Sequence, residues 1–133
     1  DLHSPTINQI AMHRVAADLY DTHTATLRAE YGRRRDMVLA ALEANMPEGV
    51  TWTKPEGGMF IWVTLPESID GAALLARSIE TERVAFVPGK AFHADGSGAN
   101  TIRLSFSLAD EYAANEGIAR LARLIRTVIA ERG

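Results

Sequence analysis

Residues 101–107 alternate without a break, and no other segment constrains the fold as tightly. Ile102, Leu104 and Phe106 fall on one side; Thr101, Arg103, Ser105 and Ser107 fall on the other. A period of two with one apolar and one polar face describes a half-buried strand. A second such run follows the turn Lys54-Pro55-Glu56-Gly57-Gly58: Met59, Ile61, Val63 and Leu65 alternate with Phe60, Trp62 and Thr64, until Pro66 stops it. Val84 to Val87 is short and wholly apolar, closed by Pro88-Gly89. Strands with one apolar face need helices to cover that face.

The helices are present in the pattern. Pro5 to Tyr20 carries Ile7, Ala11, Val15 and Leu19 every fourth residue, with Ser4 placed to cap it. From about His23 to Asn45 a long helix shows the stripe Leu27, Tyr31, Val38 and Leu42. Its partner within the chain is not obvious, which suggests that it packs against something further. Asp70 caps a short helix through about Glu82, with Leu74, Leu75 and Ile79 inward. The last helix, Asp110 to Glu131, points Ile118, Leu121, Ala122, Ile125, Val128 and Ile129 to the core, and Gly117 within it suggests a close backbone approach. The expectation is an α+β fold: a small mixed β-sheet of about three strands with helices packed mainly on one face, preceded by two N-terminal helices.

Composition narrows the function classes. The 133 residues suit one domain, and a net charge of −3 argues against a dedicated nucleic-acid binder. Without cysteine there is no disulfide, thiolate ligand or thiol nucleophile. No apolar run is long enough to cross a bilayer and no signal-peptide pattern opens the chain, which fits a cytoplasmic location. Asp1 is not an initiator methionine, so a trimmed boundary is expected.

Most searches for chemistry return nothing. His3, His13, His23 and His93 have no ligand spacing, so no metal site is expected. Gly89-Lys90 follows a strand, but Val84 and Ala91 stand where a P-loop needs Gly and Ser or Thr. Successive helical residues point about 100° apart, so Arg33-Arg34-Arg35 reads as a solvated face rather than one phosphate patch. Two features keep two readings each. Arg103, mid-strand on the polar face, is either an ordinary solvent-face arginine or a bidentate carboxylate ligand. Gly57-Gly58 is either a tight turn or a bare stretch of backbone that a ligand approaches.

Three segments, in order and spacing, resemble class I/II aminotransferases of fold type I. Lys54 to Val63 is similar to their P-x-G-G-x-F-x-W stretch; Val84 to Gly89, with Phe92, is similar to their V-x-x-x-P-G-x-x-F stretch. Asn100 to Ser107 resembles their last core strand, which carries the substrate-carboxylate arginine. Asp1 to Gln9 resembles the segment after the lysine region in the 2-aminoadipate and kynurenine aminotransferase branch, and also the aminotransferase-like domains of GntR/MocR-type regulators.

The resemblance covers essentially residues 1–133 and implies the C-terminal small domain, with 1–46 as the helical segment leading to a larger domain. It implies transamination between an amino acid and a 2-oxo acid, a homodimer, and pyridoxal 5'-phosphate in the parent protein. It assigns Arg103 to the substrate carboxylate, with Gly58 lining the same pocket, and Ser4 and Asn8 to a segment near the neighbouring subunit's active site. The Schiff-base lysine carries over to neither Lys54 nor Lys90, since neither sits in the family's S-x-x-K setting; no catalytic residue is assigned, and the isolated chain is expected to be inactive. An effector-sensing domain of a regulator and an independent interaction domain are the alternatives.

Overall fold

A computed structural model describes residues 20–107 and 109–132. Along them run helix α1 (Tyr20–Asn45), strands β1 (Thr51–Trp52) and β2 (Phe60–Thr64), helix α2 (Gly71–Arg77), strands β3 (Val87–Pro88) and β4 (Thr101–Ser105), and helix α3 (Glu111–Arg132). A π-helical turn (Ser78–Glu82) extends α2, and a 3-10 turn (Gly89–Phe92) follows β3. The expected helix over 5–20 lies outside the described residues, as do Ser4 and Asn8.

The period-two alternation has its physical counterpart in burial. Ile61, Val63, Leu65, Ile102, Leu104 and Phe106 are all buried, and they meet Val38, Ala41 and Leu42 of α1 and Ile118, Leu121, Ile125 and Val128 of α3. The C-terminal half of α1 therefore has its partner inside the chain, in α3. Asp70 caps α2 as its position suggests, its side chain accepting from the Ala73 amide at 2.9 Å.

The fold is α+β as expected; the sheet has four strands in the order β1-β2-β4-β3, close to the expected three, and every neighbouring pair is antiparallel rather than mixed. The α2 crossover does bring β3 parallel to β2, but β4 lies between them, so no parallel pair forms. β1 went unread because two residues cannot display an alternation. The third expected strand, Val84 to Val87, pairs only from Val87 onward. Val84 is tied back to the π-helical turn instead: its carbonyl accepts from Ser78 Oγ at 2.6 Å. Ser78 is fully buried and Ile79 47% exposed, where Ile79 was expected inward: Gly71, Leu74 and Ser78, spaced three and four residues apart, share the buried face of the helix.

Arginine side chains tie the elements together. Arg77 of α2 donates to Glu131 of α3 at 2.7 and 3.1 Å, and this hydrogen bond holds the Glu131 carboxyl below the ordinary carboxylate range. The contribution is present above the unfolded-state pKa and lost as pH falls through the lowered native one. It is small, because the pair is about half exposed at 42% and 53%. The Arg33-Arg34-Arg35 run points three ways, as helical geometry requires, yet only Arg33 is the solvated side chain expected of all three. Arg34 donates to the Ser107 carbonyl and Arg35 to the Glu56 carbonyl, so both anchor loops to α1.

Gly117 corrects a further expectation. A Cβ added there meets nothing within 4 Å. The residue lines an open apolar cleft of about 180 Å³ with Val38, Leu104 and Ile118, and no backbone crowds it. Gly117→Ala is therefore expected to stabilise the fold by about 1 kcal/mol, the helical propensity difference, read as a raised melting temperature. A lowered one would mean that something fills the cleft.

Candidate functional site

The sheet has a second face. Phe60, Trp62, Arg103 and Ser105 share the parity that points away from α1 and α3, and all but exposed Ser105 are half-buried. Register sets the grouping: Trp62 lies directly opposite Arg103, and Phe60 opposite Ser105. Trp62 is itself fixed by Thr53, whose amide donates to the Trp62 carbonyl at 2.9 Å and whose Oγ1 accepts from the Trp62 amide at 3.0 Å.

The 3-10 turn delivers the remaining group. Gly89 is buried tightly against Thr101 at the start of β4, which swings Phe92 over the sheet. The Arg103 guanidinium carbon lies 3.8 Å from the Phe60 ring centroid and 4.6 Å from that of Phe92. Both are within cation–π range. Trp62 meets Phe92 edge to face, with centroids 5.3 Å apart and planes at 79°. Among the described residues no carboxylate pairs with Arg103, and its Nε is the buried side-chain atom left without a hydrogen-bond partner. A buried donor without an acceptor costs about 1–3 kcal/mol, so an acceptor supplied from outside would stabilise the site. A planar guanidinium on a rigid strand, still able to donate, suits a bidentate carboxylate.

Gly58 sits elsewhere. Its φ of +77° explains the glycine, since the turn into β2 demands a left-handed residue. It lines a cleft of about 320 Å³ with Arg28, Arg35 and Phe106, and Arg103 is not among that cleft's lining residues. The turn accounts for Gly58, and the backbone there is bare, with nothing within 4 Å of where the Cβ of Gly57 or Gly58 would stand. The aromatic seat around Arg103 went unread. Its signal was available in part, because Phe60 and Trp62 occupy the outward parity of a strand whose solvent face would ordinarily be polar.

The chain has known relatives in sequence and fold. The sequence matches the family described as aminotransferase class I and II over residues 2–121. It is 46% identical over 127 residues to aromatic-amino-acid aminotransferase 1 of Thermococcus litoralis, covering 95% of this chain and 30% of that protein. The kynurenine aminotransferase of Pyrococcus horikoshii superposes with a TM-score of 0.78 at 52% identity, over 83% of this chain and 27% of that one. The α-aminoadipate aminotransferase of Thermus thermophilus, solved with N-(5'-phosphopyridoxyl)-L-leucine, gives a TM-score of 0.84 at 37% identity, over 98% and 33% respectively. The chain thus spans about a third of the length of the curated relatives it matches. Among the described residues no helix is long and apolar enough to cross a membrane. With a match over most of its length and relatives at these identities, the chain belongs to the class I and II aminotransferases.

Proposed function

We propose that this chain is the substrate-gripping small domain of a pyridoxal-phosphate-dependent aminotransferase, with Arg103 holding the α-carboxylate of an amino acid or 2-oxo acid. The observation that carries the reading is the Arg103 side chain: strand-borne, seated on two aromatic rings, and with its buried Nε lacking an acceptor. Gripping the carboxylate would orient the substrate's Cα–H bond, which is what this chemistry needs from the protein.

The described residues do not themselves fit the cofactor. The two lysines of the sequence, Lys54 and Lys90, are both exposed. Pyridoxal phosphate is accordingly assigned to a larger domain outside this chain, with residues 1–46 leading to it, and the chain alone is inactive. In the same reading Gly58, in a cleft that does not include Arg103, lines another part of the substrate pocket, and Ser4 and Asn8 approach the partner subunit of a cytoplasmic homodimer.

The test is amino transfer by the holoenzyme from a panel of L-amino acids to a 2-oxo acid, with amines lacking a carboxylate alongside. Amino acids should react well and the amines poorly. A folded, cofactor-loaded protein that binds amino acids but transfers no amino group would sink the reading and leave the domain as a sensor.

A further inference from the structure

We propose that Phe92, braced by Trp62, is a positioning residue that holds the Arg103 guanidinium ready for its carboxylate. The proposal rests on the reading that Arg103 is the carboxylate ligand, and it deepens that reading.

The argument starts from what holds Arg103 still. An arginine side chain carries about 2 kcal/mol of rotamer entropy and is ordinarily fixed by hydrogen bonds. Here the Nε has no acceptor and no carboxylate pairs with the guanidinium among the described residues. The contacts that remain are two ring faces, at 3.8 Å (Phe60) and 4.6 Å (Phe92). An aromatic face attracts a cation without consuming its N–H groups, so a guanidinium seated this way keeps its in-plane donors for a ligand. A carboxylate of the protein in the same place would compete for those donors.

The two rings differ in what else explains them. Phe60 belongs to β2, where it also contributes to the sheet face. Phe92 is 47% exposed, so burial of apolar surface accounts for it poorly. Phe92 does contact the Arg103 guanidinium, and it meets Trp62 edge to face, with ring centroids 5.3 Å apart at 79°. Trp62 in turn is pinned by Thr53 and stands opposite Arg103 in the β2–β4 ladder. A rigid strand residue therefore fixes the ring, and the ring fixes the cation. Positioning before binding lowers the ordering cost of the complex.

Two measurements on the same variants test this. In the holoenzyme, Phe92→Leu keeps an apolar side chain but removes the ring; KM for an amino acid should rise about five- to tenfold, with the loss falling mainly on KM. Phe92→Tyr should restore it to within about twofold. In the nitrogen-15-labelled 133-residue chain, the Arg103 Nε–H proton, assigned by its disappearance in Arg103→Lys, should lie upfield of the other arginines. It should move downfield in Phe92→Leu and return in Phe92→Tyr. A signal that ignores Phe92→Leu, a KM that ignores it, or a Tyr variant that fails to rescue overturns the proposal. The underlying reading fails separately, if Arg103→Lys leaves the use of carboxylate substrates unchanged whatever the Arg103 signal does.

Discussion

Replacing Gly89 by alanine should destabilise the fold by about 3 kcal/mol, and lower the melting temperature by roughly 10 °C, although it adds a single methyl group. The Cβ would stand 1.7 Å from Thr101 Oγ1, 2.9 Å from Thr101 Cβ and 3.0 Å from the Thr101 carbonyl oxygen. Turning the Thr101 side chain away would relieve only the first contact, at the loss of its 2.7 Å hydrogen bond to the Gly98 carbonyl. The other two are fixed by β4 itself, so the turn over 89–92 must lift. Gly71 approaches the same residue from α2, its added Cβ falling 2.7 Å from the Thr101 carbonyl oxygen. Thr101 is thus wedged between two glycine-bearing elements, and neither side has room to give. Chemical denaturation of Gly89→Ala beside Gly117→Ala checks this directly: two glycine-to-alanine changes with opposite expected signs. If Gly89→Ala melted with the parent, the turn would have to be loosely held. The position of Phe92 over Arg103 would then lose its structural basis.

How much of this was legible in the sequence depends on the range over which each feature is decided. The buried face of β2 and β4 was legible because alternation is local: Ile61, Val63, Ile102 and Leu104 declare themselves within a few residues. The core side of α3 was legible for the same reason at the helical period. The π-helical turn was not. Nor was the buried face of α2 and its extension, where Gly71, Leu74 and Ser78 fall at ordinary helical spacing: two of the three are small or polar, so the apolar pattern pointed to Ile79 instead. The antiparallel sheet was not legible either, because it depends on β4 inserting between two strands joined by a crossover.

The site divides in the same way. Arg103 was legible as a candidate from its place on the polar face and from the resemblance. Its environment was not, since Phe92 reaches it only through contact of Gly89 with Thr101, residues far apart in sequence. The one local hint was the aromatic outward face of β2. A sheet whose second face carries Phe60, Trp62 and an arginine is built to meet a ligand or another domain, because solvent alone gives no reason to place two large rings there. The proposed function therefore uses the face that the core does not.

Arg103→Ala should then reduce kcat/KM of the holoenzyme for amino-acid substrates by roughly 10²- to 10³-fold, since a desolvated bidentate charge pair is worth about 3–4 kcal/mol when one partner is removed. Arg103→Lys keeps the charge but not the planar fork. It also seats less well on Phe60 and Phe92, so it should recover only about tenfold of that loss. The control is an amine substrate without a carboxylate, whose already poor rate should change less than about threefold, because the missing interaction was never made. Stability should be little affected: Arg103 forms no ion pair among the described residues, and removing it also removes the buried Nε that lacks an acceptor. A loss of equal size on both substrates would mean that Arg103 supports the fold of the sheet face rather than the substrate. No loss on either would mean that the carboxylate is held by another group, and the outward aromatic face would then have to be read as a surface for protein contact.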